Sequence, residues 1–192
     1  STNEAAERAE DDMWQSVITP ALAERFKQKP DGVPTFDQGG SEVISYAWAQ
    51  RESKKGEDAF IVSVADDQQQ RSVFAIFDGH SGRKTAHICA AIVGERLQAL
   101  PSPTSPKAIT DLLWEIDEQL GVREKVLDGA TATIMLTEPA EAGKLKCTFA
   151  WMGDSSAVVT DAAVGSVYFA TESHTAGPDH QERGLWRGEK AR

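Results

Sequence analysis

Two runs of strand-forming residues, Ala59–Ala65 and Arg71–Phe77, flank the short polar segment Asp66-Asp67-Gln68-Gln69-Gln70, and each run carries acid at its far end. In the first, Phe60, Val62 and Val64 alternate with Ile61, Ser63 and Ala65, which is the period of a strand. The second is nearly continuous in apolar residues, which predicts burial on both faces. Strands joined by so short a link pair as an antiparallel hairpin. With the turn centred on Gln68, Asp58 falls opposite Asp78. Opposed residues point to the same face with Cβ atoms roughly 4.5–5.5 Å apart. Glu57, Asp58 and Asp78 are therefore expected to converge. A slip of one residue would set Glu57 opposite Asp78 and leave the clustering unchanged.

Carboxylates that close repel one another, and like charges opposed on a sheet destabilise it. A hard divalent cation with oxygen ligands relieves that repulsion, and this donor set suits Mg²⁺, Mn²⁺ or Ca²⁺ better than Zn²⁺. Gly79 has no Cβ, so its carbonyl can approach a cation closely. His80 adds an imidazole for proton transfer. Asp-Gly between apolar residues is also a common hairpin-turn signal, so a solvated acidic hairpin end is the simpler alternative.

Four segments occur in order: Lys55-Gly56-Glu57-Asp58-Ala59-Phe60, Val73–Gly82, Asp128-Gly129-Ala130-Thr131-Ala132 and Trp151-Met152-Gly153-Asp154-Ser155-Ser156-Ala157-Val158. Together they resemble the consecutive motifs of the metal-dependent protein phosphatases of type 2C, over about residues 42–180. The resemblance implies hydrolysis of phosphoserine and phosphothreonine in proteins by a water bridging two Mg²⁺ or Mn²⁺ ions. Asp78 would bridge the two ions, Glu57 and the Gly79 carbonyl would complete one shell, and Asp58 would hold metal-bound water. Asp154 matches the ligand of an additional, more loosely held ion. His80 matches the residue proposed to protonate the leaving alkoxide. No enzyme nucleophile is required, and Cys89 and Cys147 lack the cysteine–loop–arginine spacing of thiol phosphatases.

The chain also departs from the family pattern. Ser53 stands where members commonly carry a phosphate-gripping arginine. Lys54, Lys55 or Arg51 would have to substitute, although a lysine is a point charge and not a bidentate fork. Ser81 replaces the third glycine of the Asp-Gly-His motif, and no arginine follows Gly153-Asp154-Ser155-Ser156. The family's C-terminal Asp-Gly and Asp-Asn motifs do not follow Asp154, and Gly184-Leu185-Trp186 has Arg183 where the first aspartate belongs. One ion would then lose most of its protein ligands, as in a partial catalytic domain. Two rival readings are a catalytically impaired scaffold that binds a protein partner, and a hydrolase of small phosphoesters.

Composition narrows the class. The 192 residues suit one domain with a short extension, here 1–40 as a helical extension and loop and 41–192 as a partial catalytic domain. A net charge of −10 argues against nucleic acid and anionic membranes as partners, and the family resemblance implies phosphoprotein substrates. Two cysteines make no disulfide framework. With no signal pattern and no run near ~20 apolar residues, a cytoplasmic or nuclear monomer is expected.

Along the chain, residues 3–16 read as an acidic helix, and Pro20 restarts the stripe of Trp14, Val17, Ile18, Ala21, Leu22 and Phe26. This extension packs on the core or binds a partner. Pro30–Gly40 reads as a loop and Val43–Ala49 as the first strand. Arg83–Leu100 forms a helix with Cys89, Ile92, Val93, Leu97 and Leu100 inward. Ser105-Pro106 caps a second helix with the stripe Ile109, Leu112, Leu113, Ile116 and Leu120. Strands follow at Ala130–Thr137, Lys144–Trp151, Ser156–Thr160 and Ser166–Ala170. That order argues for an α+β fold and against a parallel βαβ array. The resemblance specifies two antiparallel sheets packed face to face with helices outside. His174, Asp179 and His180 read as surface residues of an irregular loop.

Overall fold

A computed structural model describes residues 35–41, 43–51, 55–65 and 71–174. The N-terminal helix reading (3–26), Ser53, Lys54, Asp179, His180 and the Arg183–Trp186 segment lie outside the described residues.

The elements in chain order are β1 (Thr35–Gly40), β2 (Ser45–Gln50), β3 (Ala59–Ser63), β4 (Ser72–Phe77), β5 (Gly79–His80), α1 (Lys84–Gln98), α2 (Pro106–Glu118), β6 (Gly129–Ala130), β7 (Ala132–Pro139), β8 (Leu145–Met152), β9 (Val158–Thr160) and β10 (Val167–Ala170). Every pairing is antiparallel. The central sheet has the order β3-β4-β7-β8, while β1-β2, β9-β10 and β5-β6 form two-stranded pairs. This is the α+β class expected, with helices on one side of the central sheet and hairpins on the other.

The strands' alternation separates the two faces. Val73, Ala75, Phe77, Ile134 and Leu136 are buried with Ala86, Ile88, Cys89, Ile92, Val93 and Leu97 of α1 and Ile109, Leu112 and Ile116 of α2. Cys89 is therefore a core residue, and burial, with the Asp117 charge behind it, pushes its thiol up to about 12. Ser105 caps α2 as expected, its hydroxyl accepting from the Ala108 N–H at 3.1 Å.

The opposite face corrects one expectation. Phe60, Ile76, Thr133 and Trp151 form a row across the sheet. Trp48 of β2 packs on Phe60 with ring centroids 4.4 Å apart, and Phe169 of β10 lies 6.0 Å from Trp151. Ile76 falls between these two clusters and is 56% exposed. On this face Ser72 is buried and Phe74 half-buried, while the hairpins meet the sheet over β3 and β8 and leave Ile76 of β4 uncovered. The loop reading of Pro30–Gly40 also changes. Over Thr35–Gly40 the chain is a strand paired residue for residue with β2, because cross-strand pairing overrides the weak strand propensity of Asp37, Gly39 and Gly40.

Candidate active site

The hairpin β3-β4 has the expected register. Ala59 pairs with Phe77, so one step further places Asp58 opposite Asp78. Their side chains hydrogen-bond directly. Burial pushes the Asp58 carboxyl above the ordinary aspartate range, and the charges of Asp78 and Glu57 add to the effect. The Gly79 N–H donates to Asp58 and pulls the other way. Such close approach requires glycine at 79, because a Cβ there would run into the Glu57 carbonyl.

Asp58 and Asp78 are brought together, with Glu57 close enough to act on Asp58 through its charge. Among the described residues, however, no three His, Cys, Asp or Glu side chains are grouped as an ion's ligand set. The expected convergence of three carboxylates is therefore a contact of two with the third alongside. Glu57 faces Lys55, whose Nζ lies 3.5 Å from its Oε2. Lys55 thus meets Glu57 here, while Arg51 is exposed just after β2.

His80 is exposed on β5, across from Gly129 of β6. Its ring lies over Gly129, where a Cβ would come within 2.6 Å of Nε2 and 2.7 Å of Cε1. Any side chain at 129 would displace the imidazole.

Asp154 is exposed in the turn after β8 and is not grouped with the other carboxyls. Its neighbours are tied to them through Thr131. The Thr131 N–H donates to the Asp78 carbonyl at 2.9 Å, and the Thr131 hydroxyl accepts from the Asp78 N–H at 3.3 Å. The same hydroxyl lies 2.6 Å from the Ser155 Oγ, and the Thr133 hydroxyl donates to the Ser155 carbonyl. Asp128 anchors the start of α1 by accepting from the Lys84 and Thr85 N–H groups and the Thr85 hydroxyl. Thr131, Ser155, Asp128 and Gly129 all lie within the four ordered sequence segments, but spacing alone assigns none of them a role. His174, half-buried, stacks on Trp151 with ring centroids 5.9 Å apart.

The acidic pair has a consequence for stability. Asp58 holds its proton more tightly folded than unfolded, so this group stabilises the fold at low pH and loses that contribution as pH rises through its raised folded range. In the metal-free protein at pH 7–8, Asp58→Asn should raise Tm, by roughly 2–4 °C for each kcal/mol relieved, and should weaken Mn²⁺ uptake. A lower Tm in metal-free thermal unfolding would show that the pair carries no repulsion.

An antiparallel α+β domain with an oxygen-donor acidic pair, an adjacent imidazole and a tethered second acidic loop defines the class. The protein phosphatase 2C family model matches residues 46–183, and the chain belongs to that family. It is 28% identical over 147 residues to the probable protein phosphatase 2C 15 of Arabidopsis thaliana, covering 69% of this chain and 32% of that protein. A solved structure of a C. elegans sex determining protein aligns with a TM-score of 0.49 and 20% identity, covering 97% of this chain and 47% of the other. The chain thus spans less than half the length of either. Among the described residues, no helix is long and apolar enough to cross a membrane.

Proposed function

We propose that the chain carries the metal-binding and proton-donating part of a phosphatase acting on phosphoserine and phosphothreonine in proteins. The observation behind this reading is the contact between Asp58 and Asp78 at the mouth of the β3-β4 hairpin, where burial and like charge favour a bound cation. The donors are all oxygens, which fits Mg²⁺ or Mn²⁺. Asp78, Asp58, Glu57 and the Gly79 carbonyl would hold the ions, with Asp154 for an accessory one. When bound, such ions supply an acidified water and neutralise phosphate oxygens.

The remaining chemistry falls to the protein's own groups. A serine or threonine alkoxide is a poor leaving group, and His80 as general acid would protonate it, contributing roughly 10²–10⁴-fold. The open surface at His80 suits a protein substrate better than an enclosed small one. Lys55, Lys54 and Arg51, which stand two, three and six residues before Glu57 in the sequence, would steer phosphate.

The test is hydrolysis of a phosphothreonine peptide with added Mn²⁺ and with chelator. His80→Ala should slow phosphoserine and phosphothreonine substrates by about 10²-fold or more, while aryl phosphates, whose leaving group needs little protonation, lose much less. Equal losses on both would remove His80 as the acid. One observation favours the scaffold reading: Lys55 already lies near Glu57 and supplies it with positive charge. A scaffold would take up no Mn²⁺ in calorimetry.

A further inference from the structure

We propose that His87 is a positioning residue that fixes the Glu57–Asp58 half of the metal site against the Asp78 half. The inference rests on the metal-site reading above. Helix α1 follows directly from the Asp78–Gly82 loop, and Asp128 pins its first turn. From that helix the His87 Nε2 reaches the Gly56 carbonyl at 3.0 Å. A carbonyl only accepts, so the ring hydrogen sits on Nε2 and the imidazole donates.

Gly56 is buried and immediately precedes the acidic pair. On its other side the pair is held by Gly79, which lies against the Glu57 backbone and donates its N–H to Asp58. The Lys55–Glu57 contact involves a largely exposed lysine and does little to fix the loop. The acidic loop is therefore braced by Gly79 on one side and by His87 on the other. Both braces lead back to the segment that carries Asp78, so one rigid unit, the Asp78 loop with α1, sets the separation of the two halves. His87 also lines, with Asp58, Arg83 and Trp48, a cleft of about 550 Å³ between β2, β3 and α1.

A donor set fixed in advance binds its ion more tightly than one that must first be ordered. Losing one such hydrogen bond should weaken Mn²⁺ binding roughly 3- to 10-fold. Calorimetric titration of the full chain with Mn²⁺ alone, beside metal-free thermal unfolding, tests this. His87→Leu should show the weakened affinity. His87→Gln, whose amide can donate to the same carbonyl, should stay within about twofold of the parent. If His87→Leu does not fold, His87→Asn, whose amide is too short to reach, takes its place against His87→Gln. Unchanged affinity in the variant that cannot donate, or equal weakening in His87→Gln, would overturn the proposal while leaving the metal site intact. Absence of Mn²⁺ uptake by the parent protein would instead sink the metal-site reading itself.

Discussion

Asp78→Asn should abolish Mn²⁺-dependent turnover of a phosphothreonine peptide, with a loss of at least ~10²-fold, while the protein stays folded. The size follows from the charge removed. On the proposed reading, the anionic side chain that would hold the cations is replaced by a neutral amide, and several kcal/mol of charge stabilisation would be lost at about 1.36 kcal/mol per decade of rate. The fold should survive because what Asp78 gives the framework comes from its backbone. Its carbonyl accepts from Thr131 and its N–H donates to the Thr131 hydroxyl, and neither bond needs the carboxylate. The side chain itself meets Asp58, so removing its charge relieves repulsion. Metal-free Asp78→Asn should therefore melt no lower than the parent, while Mn²⁺ calorimetry shows weakened uptake. Retained turnover would rule out the bridging role. A collapse of Tm would show that the carboxylate serves the fold.

Local features of this fold were legible in the sequence, and those that depend on distant partners were not. The β3-β4 register could be read because a short polar link leaves little freedom, so Asp58 falls opposite Asp78 once the turn is placed. Helices α1 and α2 showed their buried stripes through their period, and Ser105-Pro106 marked its own cap. By contrast, β1 is a strand because β2 pairs with it, and nothing in Asp37-Gln38-Gly39-Gly40 announces that. The exposure of Ile76 depends on two hairpins, one before and one after it in the chain, meeting the sheet on either side of it.

The site divides in the same way. Glu57, Asp58, Asp78 and His80 could be named from the hairpin ends and the motifs. The parts that aim them come from elsewhere in the chain: Thr131 bonds the backbone of Asp78, Gly129 makes room for His80, and His87 reaches Gly56. Sequence pattern specifies which chemistry is present, whereas these long-range bonds specify where it points. The contact of Lys55 with Glu57 could not be read from sequence either, since Lys54 and Lys55 offered equal charge.

Arg71→Met should lower stability by about 3–5 kcal/mol, the cost of removing the close partner of a buried carboxylate that then keeps, among the described residues, only Lys146 as a cation, at 3.8 Å. For a chain of this size that is a fall in Tm of roughly 6–20 °C. Arg71 is 4% exposed and Glu138 2% exposed, and their Nε and Oε1 atoms are 2.9 Å apart. Beyond that pair, the Arg71 guanidinium donates to the carbonyls of Leu97, Gln98 and Leu100, closing the C-terminal end of α1. Glu138 accepts from the Thr104 N–H and hydroxyl and from the Ser102 hydroxyl, fixing the segment that leads into α2. One ion pair thus ties β4, β7, α1 and the approach to α2 together. Burial pushes the Glu138 carboxyl up, but these donors outweigh it and hold the group below the usual glutamate range. The sign follows from that depression: the stability it contributes is present above the unfolded glutamate range and is lost as pH falls through the lower folded range. The parent should therefore unfold on acidification with a contribution that the Arg71→Met/Glu138→Met double variant lacks. That double variant should also recover most of the stability lost by Arg71→Met, since replacing both members of a buried pair by apolar residues is often close to neutral. Chemical denaturation across pH would decide it: an Arg71→Met midpoint equal to that of the parent would show that the pair contributes nothing to holding these elements together.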